Sequence, residues 1–104
     1  MSVNSIVVED ESRTTLRTLV ADPIVLDPLL RLTELDANYS CLQFVDPYGD
    51  TIFNNGQARQ LITELEALTK FATTHQQRSV LNELSSLASF CSESPHRFLR
   101  FVGD

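Results

Sequence analysis

The sequence predicts an α+β fold, a small antiparallel sheet packed against an antiparallel helix pair. Three observations carry this. Between Ala58 and Cys91 apolar residues recur at three- and four-residue spacing, the signature of two amphipathic helices in succession. Runs rich in β-branched and aromatic residues flank that block, at the N-terminus and again at Arg97–Val102. In Cys41–Asn54, strand-like runs lie on either side of Asp46-Pro47-Tyr48-Gly49, which has the chemistry of a tight turn. A chain of 104 residues is expected to form one domain, residues 1–104, with a core of its own.

Val3–Glu9 reads as a strand centred on Ile6-Val7-Val8, broken by the polar run Glu9–Arg13. Thr14–Val20 is a second strand or the start of a helix; its Thr and Val residues favour a strand, and hence an N-terminal hairpin within residues 3–20. Two Asp-Pro pairs follow, Asp22-Pro23 and Asp27-Pro28, each setting a capping carboxylate before a proline suited to the first helical position. Because an interior proline costs about 3 kcal/mol, the simplest arrangement is a turn at 23–26 and a short helix at 28–35. Leu29, Leu32 and Leu35 would then face inward.

The central hairpin is expected at 41–54. Asp46 suits the first turn position, Pro47 presets the second, and Gly49 supplies a left-handed residue to close it. Asn54 and Gln57 have the spacing of a capping box, so a helix should follow over about 56–73. A second helix is expected over about 76–92, striped by Val80, Leu81, Leu84, Leu87, Ala88 and Cys91. Pro95 lies just past its end, and RFLRFV at 97–102 alternates as a strand that closes the sheet beside the hairpin.

The formal net charge is −6 and it is unevenly placed. Residues 1–54 hold nine acidic and three basic side chains, whereas residues 55–104 hold five of each. That balance disfavours nucleic acid as a partner and favours a basic protein. There is no apolar run long enough to span a membrane, and MSVNSIVVEDES has neither the basic flank nor the apolar core of a secretory signal. The expectation is a cytoplasmic protein with two unpaired thiols, Cys41 and Cys91, although one disulfide between them is the alternative.

Phe44–Asn54 (FVDPYGDTIFN), the leucine-striped helix after it and the terminal FLRFVGD (Phe98–Asp104) resemble small acidic bacterial proteins of about this length. Those proteins carry a similar DPYGDT turn and a similar FLxFxGD closing strand. The resemblance covers the C-terminal two thirds. It implies a bacterial, single-domain protein, and it carries over no functional residue.

Catalytic chemistry finds little support. His75 and His96 have no second histidine or cysteine at ligand spacing, and no G-x-S-x-G elbow or phosphate loop is present. Cys41 or Cys91 with His96 forms a nucleophilic pair only on paper. The expectation is a non-enzymatic protein without a cofactor. The alternative is a carboxylate-based metal enzyme or small-ligand sensor using Asp46, Asp50 and Asp104. A third possibility is an adaptor that pairs through its helices. The favoured reading is a partner-binding surface made of Asp36, Tyr39, Asp46, Tyr48 and Asp50, aromatic rings framed by carboxylates. Small size, one-sided charge and the lack of an export signal then suggest an immunity or antitoxin-type inhibitor. Its acidic surface would cap the basic active site of a toxin, such as a nuclease or another nucleotide-handling enzyme.

Overall fold

The computed structural model describes residues 2–104; Met1, the first residue of the segment weighed as a secretory signal, lies outside them. The architecture is α+β, a four-stranded antiparallel sheet with three helices.

Strand β1 (Val3–Asp10) buries Ile6 and Val8 on one face and Val7 and Glu9 on the other. Asp10 reverses the chain, its Oδ1 accepting the N–H groups of Ser12 and Thr14 at 2.9 Å each, while Arg13 adopts a left-handed conformation. Strand β2 (Thr15–Val20) returns antiparallel to β1, so the N-terminal hairpin is present. Val8 faces Arg17 and Glu9 faces Thr15, which leaves Leu16 as the extra residue of a bulge.

Helix α1 spans Pro23–Arg31 and corrects the expected helix at 28–35. Asp22 caps it through an Oδ1 that accepts the Ile24 N–H at 3.0 Å, and Pro23 occupies the first turn. Pro28 is tolerated inside because it removes a single bond, the one to the carbonyl of Ile24. Ile24 is 83% exposed, so water can take that carbonyl. Starting at Pro23 also brings Leu26 into the core beside Leu29, an apolar gain that offsets the lost bond. The helix stops before Leu32 and Leu35, which are exposed rather than inward, and Leu35 takes a left-handed φ of 58°.

The central hairpin at 41–54 does not form. Leu42–Phe44 is a 3-10 turn, and the strand β3 (Asp50–Asn54) pairs elsewhere in the sheet. The reason is a carboxylate from a distant helix: Glu64, itself buried, accepts the N–H of Leu42 at 2.9 Å and that of Cys41 at 3.2 Å. Those donors would otherwise serve a strand ladder. Gly49 is not left-handed either, since no glycine has a positive φ.

Helix α2 (Asn55–Leu68) opens with the expected capping box. Asn54 Oδ1 accepts the Gln57 N–H at 2.8 Å, and Gln57 Oε1 accepts the Asn54 N–H at 2.9 Å. A 3-10 turn at Thr69–Phe71 extends it, and helix α3 (His75–Ser92) begins at the Thr74 cap. Strand β4 (Arg97–Gly103) then inserts between β1 and β3, giving the order β2-β1-β4-β3.

Ile6, Val8, Leu19, Phe53, Leu99 and Phe101 form the inner face of the sheet and pack with buried residues of all three helices. Phe53 and Phe101 meet edge to face at 5.8 Å between ring centroids. On the outer face Val7, Arg100 and Ile52 share one row, flanked by Glu9 and Asp50. Arg100 ties that face together: Nε and Nη2 each donate to Glu9 at 3.0 Å, and Nη1 donates to Asp50 at 2.7 Å. Cys41 and Cys91 are buried and unpaired.

Candidate functional site

The DPYG segment folds as a tight loop for reasons local to it. Asp46 Oδ1 accepts the Tyr48 N–H at 2.8 Å, and the Asp46 N–H is held by Thr51 Oγ1 at 2.9 Å. The end of β4 then clamps the loop from the other side. Gly103 donates its N–H to the Gly49 carbonyl at 3.0 Å, and Asp104 donates to the Pro47 carbonyl at 3.1 Å. The turn is therefore rigid, and it carries Tyr48 at its tip with 67% of its surface exposed.

Beside this loop lies a cleft of about 250 Å³, walled by α1 on its other side. Leu30, Leu42 and Val45 give it an apolar lining, and Asp27, Arg31, Glu34 and Tyr48 add charge and an aromatic ring. Asp27 is positioned by Ser2, whose hydroxyl donates to Oδ2 at 3.0 Å. Asp46 on the adjoining loop and Asp104, bonded to the Pro47 carbonyl, bring further carboxylates to this end of the molecule.

The other end of the sheet carries charges of both signs, including the Arg97–Glu93 pair at 3.4 Å. Val3 pairs with Gly103 at the acidic end, and Asp10 pairs with Arg97 at the far one. There Arg17 and Arg97 both stack on Phe90, at 3.7 and 3.9 Å from its ring centroid. Arg97 also donates to the Phe90 carbonyl at 2.7 Å, and His96 contacts Glu11.

Of the residues expected at the partner surface, the structure joins Asp46 to Tyr48, and Tyr48 lines the cleft. Asp50 points to the outer sheet face and is engaged with Arg100. Asp36 is half-buried in a different cleft, with Lys70 and Phe71, and its Oδ1 accepts the Asn38 N–H at 2.9 Å. Tyr39 is only 6% exposed: its ring belongs to the core, and burial, then Asp36 and Glu64, push its hydroxyl pKa up. With the little surface it shows, Tyr39 lines the same cleft as Asp36. Among the described residues no group of three His, Cys, Asp or Glu side chains is placed to hold a metal ion.

No protein-family model, curated protein or solved structure matches the chain. Its function must be read from its own geometry.

Asp27, Arg31 and Glu34 were missed because a helix begun at Pro28 makes Asp27 a cap rather than a wall. The available signal was the i, i+4 spacing of Asp27 and Arg31, which puts them on one face of any helix that contains both. Chemically, the cleft suits the side chain of a lysine or arginine. Its aliphatic stem would lie on Leu30 and Val45, and its charge would meet Asp27 and Glu34 beside the Tyr48 ring. Among the described residues no serine, cysteine or histidine lines the cleft. No helix is long and apolar enough to cross a membrane, among those same residues.

Proposed function

We propose that this protein is a non-enzymatic binding module, an inhibitor of immunity or antitoxin type that works in a bacterial cytoplasm. Its acidic end caps a basic active-site cleft on a toxin, such as a nuclease or another nucleotide-handling enzyme, and keeps the substrate out. The observation that carries this reading is Tyr48, exposed at the tip of a loop pinned by β4, beside a cleft edged by Asp27 and Glu34. A rigid aromatic anchor among carboxylates supplies buried area at little entropic cost, while the charges speed encounter with a cation. The capping set is Asp27, Glu34, Asp46 and Tyr48; Asp36, Tyr39 and Asp50 lie outside it.

The test is affinity capture from a bacterial lysate, followed by an assay of the captured enzyme with and without added protein. A basic enzyme should be captured and silenced. Association should slow as salt rises, because attraction is screened beyond about 8 Å at physiological ionic strength. The triple variant Asp27→Lys/Glu34→Lys/Asp46→Lys should neither capture nor inhibit. Equal inhibition by that variant, or a captured enzyme that stays active when saturated, would overturn the reading.

A further inference from the structure

The sheet has two edges, β2 and β3, and they are not equally protected. β3 is five residues long, starts at Asp50, which is tied to Arg100, and ends at Asn54, which caps α2. β2 has no such guard. Its six residues, TLRTLV, include no proline, lysine or carboxylate. Its one charge, Arg17, is drawn onto the Phe90 ring at the helical side. Val20 is 79% exposed and Leu16 40% exposed. Proteins normally blunt an edge with charges, proline or a covering loop, and an edge of this length whose single charge is turned to the helical side is a template for another strand.

Backbone direction fixes which groups are on offer. Ala21 donates its N–H inward to Asn4, so by the alternation of an antiparallel ladder the N–H and C=O groups of Thr18 and Val20 point away from β1.

We infer that β2 is a dimerisation edge, joining antiparallel to the β2 of a second copy about a two-fold axis at Thr18 to give a continuous eight-stranded sheet. Placing Thr18 opposite its own counterpart sets outward backbone groups against outward backbone groups. The same register lays Leu16 on Val20 of the other copy, and Val20 on Leu16, so the apolar pair is made twice. Centring on Val20 instead would set Thr18 opposite Asp22, beyond the end of β2 and already engaged as the cap of α1. Charge agrees with the choice. Arg17 comes opposite Leu19 of the other copy, and Leu19 shares a cleft with Asp22 and Glu83. A chain of net charge −6 repels its own kind, yet along this strand no carboxylate meets another.

Sedimentation equilibrium up to roughly 1 mM, the weak end of specific association, tests this directly. The wild type should approach twice its 11.7 kDa mass, and hydrogen exchange at the Thr18 and Val20 amides should slow as concentration rises. Val20→Lys and Thr18→Pro should each give a monomer with an unchanged circular-dichroism spectrum, since neither removes a bond to β1. Should Thr18→Pro misfold, Val20→Lys decides alone. A wild type that stays monomeric, a dimer that survives Val20→Lys, or a dimer broken by Ile52→Lys on the β3 edge would each overturn the inference. So would a dimer that leaves those two amides unprotected.

Discussion

Gly103 lies so close to Gly49 that the two share a hydrogen bond, and a methyl group on Gly103 would collide with the carbonyl oxygens around it. A Cβ built there stands 2.6 Å from the Asp46 oxygen and 2.8 Å from the Pro47 oxygen, besides its clash with Gly49. All three are backbone atoms and cannot swing aside. Gly103→Ala is therefore expected to cost about 2–4 kcal/mol of stability, by overpacking and by loosening the loop under Tyr48. At Gly49 an added Cβ meets the flexible Asp46 carboxylate at 3.3 Å, so Gly49→Ala should cost under about 1 kcal/mol. Urea denaturation of both variants checks the ordering.

Glu64 is a second point where little tolerance is expected. Its carboxylate accepts from the buried N–H groups of Cys41 and Leu42 and from the Ser40 hydroxyl. Glu64→Ala should lose about 3 kcal/mol or more, because each buried donor left unmet costs about 1–3 kcal/mol. Glu64→Gln keeps one acceptor oxygen and should fall between the two. Chemical unfolding, with amide exchange at Cys41 and Leu42, would show whether the 39–44 segment loosens first.

On the outer face, the Arg100 pairs should be unequal. The Glu9 side chain is nearly buried, whereas that of Asp50 is partly solvated. Arg100→Ala strands a buried carboxylate and should cost about 3–5 kcal/mol. Asp50→Asn should cost under about 1 kcal/mol, as exposed pairs do. A double-mutant cycle on Glu9 and Arg100 should give a coupling larger than that on Asp50 and Arg100.

The thiols should titrate late and react slowly. Burial pushes the Cys91 thiol up to about 11, with Arg97 opposing it, and burial followed by Glu64 raises that of Cys41. A folded-state pKa raised above the unfolded one means that the folded form holds its proton more tightly. That stability is fully present below pH 9 and is lost as pH climbs toward 11. Its slope should approach about 1.4 kcal/mol per pH unit for a single thiol. Thermal melts over pH 8–11 measure the fall, and Cys91→Ala should flatten it. At pH 8 both thiols should resist alkylation until urea unfolds the chain.

Much of the fold is legible in the sequence because its signals are local. The Asn54–Gln57 box, the leucine stripes of α2 and α3, and the alternation in β4 each depend on residues within a turn or two of one another. The segment 41–45 is not legible for the opposite reason. Its apolar run suits a strand, but Glu64, 22 residues further on, claims the N–H of Leu42. Helix α1 hid for a related reason, since the propensity against Pro28 was outweighed by burial of Leu26, which only tertiary contact reveals. At the candidate site the turn residues Asp46 and Tyr48 were readable, while the wall that α1 contributes was not. The pinning of the DPYG loop by Gly103 joins segments 54 residues apart, and no local pattern announces it.

The place of β4 in the sheet also bears on synthesis. Residues 97–103 supply the middle rung that β1 and β3 both need. A nascent chain that has not yet released them carries an N-terminal ribbon with one bare flank and a β3 with no neighbour at all. Every sticky surface of the sheet is thus open to solvent on the ribosome until residues 97–103 emerge, and the hazard to the nascent chain lasts until that strand is in place.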